Sequence, residues 1–79
     1  MNNPAFDSIL HIKIQEIISV IIDTRQFKFN QAVEYFYSSR LYDALSDEGT
    51  KLWHLSSEKL FEMLEVEKTK NKIVYPDFV

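Results

Sequence analysis

The chain has no cysteine, one glycine and two prolines in 79 residues. Without cysteine neither a disulfide staple nor a thiolate metal site is available, so a chain this short must be held by packing or by association. With Gly49 alone, nucleotide binding through a P-loop or a dinucleotide fingerprint is excluded, because those loops use several glycines to bring backbone N–H groups up to a phosphate. The longest apolar stretch, Ile17 to Ile22, is interrupted by Ser19 and falls far short of the ~20 residues that span a bilayer. The N-terminus has no basic start, apolar core and small-residue cleavage site of a secretory signal, and the expectation is a cytoplasmic protein. An excess of positive charge is missing too. Nine Lys and Arg stand against twelve Asp and Glu, a formal charge of -3, which disfavours nucleic acid as a partner.

What the chain has is aromatic residues: six Phe, four Tyr and one Trp. Seven of them, Phe27, Phe29, Tyr35, Phe36, Tyr37, Tyr42 and Trp53, fall in one central segment. Each can remove on the order of 150–250 Å² from water, so this segment is expected to organise the core and an interface. The length supports one domain over residues 1–79, because halves would be too small to bury cores of their own.

The periodicity predicts a mainly α fold of three or four helices. Asn3 and Pro4 open a first helix that reaches Thr24, with Asp7 as the alternative cap. Phe6, Leu10, Ile14, Ile17 and Ile21 recur at spacings of three and four and form one face, widened by Ile18. Ile9, Ile12 and Val20 lie outside that stripe, so the helix has apolar surface for a second contact. After a connector from Arg25 to Phe29, Asn30 is read as the cap of a second helix whose Ala32, Val33, Phe36 and Tyr37 share a face. Ser38 and Ser39 favour a break, with Ser39 capping a short third helix that turns Leu41, Tyr42 and Leu45 inward. One continuous helix over 30–45 is the alternative.

Ser46 to Gly49 reads as a turn in which the glycine is free to adopt positive φ. Thr50 to Leu55 has a partial alternation compatible with a short extended segment, and Pro76 pushes Tyr75 towards extension, so residues 50–55 and 72–75 are candidates for a two-stranded β appendage. Ser56 caps a last helix, with Leu55 and Leu60 at the two positions of a hydrophobic staple. Leu60, Phe61, Met63 and Leu64 form its buried stripe, while Glu62, Glu65, Glu67 and Lys68 are assigned to the wet face, and the helix ends near Lys68 to Lys70.

The run Phe36-Tyr37-Ser38-Ser39-Arg40-Leu41-Tyr42-Asp43-Ala44-Leu45, followed by Asp47, Thr50, Leu52, Trp53 and His54, resembles a small bacterial domain family of unknown function. Its members carry a phrase of the form Phe-Tyr-x-Ser-x-Leu-Tyr-x-x-Leu, then a turn, Thr-x-Leu with a nearby aromatic or histidine, and a final amphipathic helix. The likeness spans roughly residues 14 to 68. It implies a compact, mostly helical, non-catalytic bacterial protein. Some similar domains are encoded beside toxin-like genes, which implies an antitoxin-like regulator as an alternative role. The resemblance supplies no catalytic residue.

His11 and His54 have no second histidine four residues on, so the two-His helical metal geometry is missing. A small metal site built from His54 with Asp43, Asp47 or Glu48 is the remaining alternative, against a histidine with a local hydrogen bond. The acidic turn lacks the ligand spacing and central glycine of a calcium loop. Lys68, Lys70 and Lys72 suit the C-terminal end of a helix dipole better than a phosphate. The serines are explained as caps, and no nucleophile or small-molecule substrate is evident. The chain reads as a non-enzyme without a cofactor. Phe36, Tyr42 and Trp53 are assigned to the core, whereas Tyr35 and Tyr37 cannot share one buried face with Phe36. The expected function is a protein-interaction module, self-associating or binding one protein partner, with Tyr35, Tyr37, Ile12 and Val20 as its contact residues.

Overall fold

The computed structural model describes residues 4–72. Four α-helices follow one another, α1 (Pro4–Arg25), α2 (Phe29–Tyr37), α3 (Arg40–Leu45) and α4 (Ser57–Lys70), with two single-turn 3-10 helices, Glu48–Thr50 and Leu52–His54, between α3 and α4. The mainly α expectation stands, and among the described residues there is no strand.

The α1 stripe does what its spacing dictates. Phe6, Ile17, Ile18 and Ile21 are buried, and Leu10 and Ile14 are packed against the core they start. Ala32 and Phe36 from α2, Leu41 and Leu45 from α3, Leu52 from the second 3-10 turn, and Leu60, Met63 and Leu64 from α4 complete it. Phe6 meets the Trp53 ring edge-on at 5.5 Å, and Arg25 at the other end of α1 pairs with Glu65. α4 therefore runs beside α1 in the same direction, while the three-residue connector 26–28 folds α2 back along it.

α2 and α3 are separate helices, broken at the two serines. The Ser39 side chain accepts from the Tyr42 N–H at 3.1 Å and donates to the Phe36 carbonyl, so one buried hydroxyl closes α2 and opens α3. At α4 the Ser56 hydroxyl accepts from the Lys59 N–H at 3.1 Å, and Leu55 and Leu60 both join the core, as a staple requires.

Four expectations are corrected. α2 begins two residues early, at Phe29: Lys28 rather than Asn30 occupies the cap position, and the Lys28 N–H is satisfied by Gln31 Oε1 at 2.9 Å. Gly49 has no positive φ; the left-handed residue of this turn is Lys51, at φ 60°. What Gly49 contributes is an N–H that donates to Asp47 Oδ1 at 2.9 Å. Residues 50–55 are not extended. Left-handed Lys51 reverses the chain, and bonds from the His54 N–H to the Lys51 carbonyl (3.1 Å) and from the Leu55 N–H to the Leu52 carbonyl (2.9 Å) wind it into a 3-10 turn. The alternation of Leu52 with Trp53 and His54 thus reports a turn that buries Leu52, half-buries Trp53 and exposes His54, and the β appendage loses this half. Its other half, residues 72–75, lies outside the described residues apart from Lys72.

The fourth correction is Glu67, which is buried rather than wet. Its carboxylate accepts from the Arg40 N–H at 2.7 Å and from the Leu41 N–H at 2.9 Å, satisfying the first two amides of α3 from a helix 26 residues further along the chain. The negative charge sits at the positive end of the α3 dipole. α4 ends at Asn71 in the left-handed conformation, with its N–H donating to the Glu67 carbonyl at 2.6 Å.

Candidate functional site

Folding α2 back along α1 leaves an open groove of about 610 Å³ between them. Its floor is Ile14, Ile18, Ile22 and Val33; Phe29 and Tyr37, one at each end of α2, stand over it, and His11, Gln15 and Ser19 form the polar rim on α1. Gln15 Nε2 lies 3.3 Å from His11 Nε2, a hydrogen bond when that ring nitrogen is unprotonated. From Ile22 back to His11 the groove covers twelve residues of helix, eleven steps of 1.5 Å or about 16 Å.

Phe29 is 68% exposed, Ile12 53% and Tyr37 47%. Phe29 and Tyr37 line the groove. Ile12 does not, but it stands three residues before Gln15 and seven before Ser19, so helical geometry puts it beside that rim. All the large hydrophobic side chains exposed among the described residues therefore gather on or beside one depression. Tyr37 is fixed there by stacking on Tyr42, with ring centres 4.4 Å apart and planes 15° from parallel, while Phe36 meets both rings edge-on from the core.

Tyr35 points elsewhere. Its hydroxyl donates to Glu65 Oε2 at 2.9 Å, Phe27 meets its ring edge-on at 5.3 Å, and Lys68 Nζ lies 4.5 Å from the ring centre. Arg25 bonds Glu65 and reaches the Tyr35 hydroxyl at 3.4 Å. Burial raises the Tyr35 pKa above its ordinary 10.0, assisted by the bond to Glu65, and the bond to Glu65 raises that of Arg25. This cluster ties the α1 end, α2 and α4 together and gives Tyr35 a packing role. Val20 is half-buried on α1 and does not line the groove. The structure thus brings Tyr37 and Ile12 to one surface and leaves Tyr35 and Val20 outside it.

Phe29 and Val33 were the residues to add. Phe29, Val33 and Tyr37 recur at intervals of four, an apolar line visible in the sequence once Phe29 is taken as helical rather than as part of a connector. His54 lies exposed and flat against Trp53, with ring centres 4.0 Å apart, and Asp47 is occupied in capping the Glu48–Thr50 turn. Among the described residues no three His, Asp or Glu side chains converge in a metal-holding geometry, and no helix is long and apolar enough to cross a membrane. Comparison with known families, with curated proteins and with solved structures found no match.

Proposed function

We propose that this chain is a non-catalytic protein-interaction module that binds another polypeptide in the α1–α2 groove. The observation that carries the reading is the gathering of Phe29, Tyr37 and Ile12, the exposed large hydrophobics of the described residues, around one apolar depression. A folded chain gains by burying such side chains, and with about 200 Å² for a large side chain these three leave roughly 330 Å² of mostly apolar surface in water. Tyrosine and other aromatics are favoured where interfaces concentrate their binding energy. The groove floor is aliphatic and its rim offers amide, imidazole and hydroxyl groups, a composition suited to packing and orientation rather than to bond breaking.

The test is site-specific photocrosslinking in the cells that make the protein. A photoreactive side chain at position 29 is expected to form a discrete protein adduct, whereas one at Glu58, exposed in the first turn of α4, forms none. No adduct from position 29, or the same adducts from both positions, would remove the proposal.

A further inference from the structure

The charges around the groove are not balanced, and they say more about its occupant than the apolar floor does. Asp7 stands one helical turn before His11, Glu16 one turn after Ile12, Asp23 one turn after Ser19, and Glu34 next to Val33 and one turn before Tyr37. All four are exposed, and none takes part in the ion pairs found among the described residues, Arg25 with Glu65 and Lys59 with Glu62. Against them Lys28 stands beside Phe29 at one end. The lips are acidic, and the whole chain carries a formal charge of -3.

We propose that the groove receives an amphipathic helix of another protein, with an apolar stripe flanked by lysine or arginine. The inference rests on the reading of the groove as a protein-docking surface and names its partner. Length fits: about 16 Å accepts roughly three turns of helix, enough for anchors at the i, i+3, i+4 and i+7 positions that such grooves read. Chemistry fits as well. The isoleucine and valine floor takes aliphatic anchors, Phe29 and Tyr37 close over the two ends, and basic flanks meet the acidic lips, where opposite charge speeds docking and like charge rejects the wrong partner. A second copy of this chain would set Asp23, Glu34 and their neighbours against the same acids, so self-association is the disfavoured occupant.

Two synthetic helical peptides decide the matter, identical in their leucine stripe and differing only in lysine or glutamate on its flanks. Titrated against the full chain by fluorescence anisotropy, the lysine peptide is expected to bind at least about tenfold more tightly, and to weaken as salt rises from about 50 to 300 mM. The double variant Asp23→Lys, Glu34→Lys is expected to erase or reverse the preference. Val33→Arg is expected to abolish binding, and Phe29→Ser, at an exposed position, serves as the second groove variant should Val33→Arg not fold. Equal binding of both peptides that still depends on Val33 or Phe29 overturns the basic-helix inference and leaves the docking reading standing. Binding of neither peptide, or self-association in sedimentation that Phe29→Ser disrupts, also overturns the inference. Binding insensitive to both groove variants overturns inference and reading together.

Discussion

Replacing Glu67 with alanine tests the least expected contact in the molecule. The Glu67 carboxylate is the acceptor for the Arg40 and Leu41 N–H groups at 2.7 and 2.9 Å, and it is buried against the start of α3. Hydrogen bonds to a charged partner contribute about 1.5–3 kcal/mol each, and a donor left without a partner in a buried site costs about 1–3 kcal/mol. The Arg40 amide lies near solvent and water can replace part of its loss, whereas the Leu41 amide is buried. A total of about 3 kcal/mol is therefore expected for Glu67→Ala, and for a domain of this size that lowers Tm by roughly 12–24 °C. Glu67→Gln retains one good acceptor but turns an NH2 towards the other amide, and about half the effect is expected. Urea unfolding followed by far-ultraviolet circular dichroism measures both variants. Glu62→Ala is the control, because Glu62 is exposed and its Nζ partner on Lys59 is 3.7 Å away, an arrangement worth at most about 0.5 kcal/mol. If Glu67→Ala lost no more than Glu62→Ala, the argument that a distant carboxylate holds α3 in place would be wrong.

Ser39→Ala removes the hydroxyl that serves both α2 and α3, and a loss of about 1–2 kcal/mol is expected in the same unfolding assay. Because the folded-state pKa of Tyr35 is raised above 10.0, first by burial and then by Glu65, its contribution to stability is fully present below pH 10 and is lost as pH climbs through the raised value. Tyr35→Phe is expected to cost about 1 kcal/mol at neutral pH and to flatten the alkaline fall in Tm; an unchanged alkaline profile would refute the assignment. Lys51→Gly is expected to stabilise the chain by up to about 1 kcal/mol, since Lys51 pays for a left-handed backbone that glycine adopts freely. Gly49→Ala is expected to change stability by less than about 1 kcal/mol, its added Cβ meeting Asp47 Oδ1 at 3.3 Å with no positive φ to forbid it.

The parts of the fold that were legible in the sequence are those governed by neighbours in the chain. The α1 stripe, the break at Ser38 and Ser39, and the Ser56 cap depend on spacings of three and four or on a hydroxyl reaching an amide three residues on, and each lies where local rules put it. What stayed hidden was set by partners far along the chain. Nothing near Glu67 announces that α3 will bring two bare amides to it, so a glutamate between Val66 and Lys68 reads as solvated until the helices are packed. The place of Tyr35 is hidden for the same reason, because Glu65, 30 residues away, takes its hydroxyl. Lys51 shows the converse limit: glycine is the residue expected to turn left-handed, yet Asp47 already fixes the Gly49 amide, and the reversal falls to a lysine two residues later.

The candidate site sits between these extremes. Tyr37 and Ile12 could be marked as surface residues from α-helical phase alone, but the groove is a property of two helices, and it exists only because a connector of three residues turns α2 back along α1. Moving the α2 cap from Asn30 to Lys28, which makes Phe29 helical, is what adds the first of the three anchors at intervals of four. That same alignment explains why the site can be apolar without weakening the core. Phe36 and Ala32 use the inward face of α2 to join it to the core, while Phe29, Val33 and Tyr37 occupy the adjacent face, so the residues that hold the domain together and those that remain free for a partner are separated on one nine-residue helix.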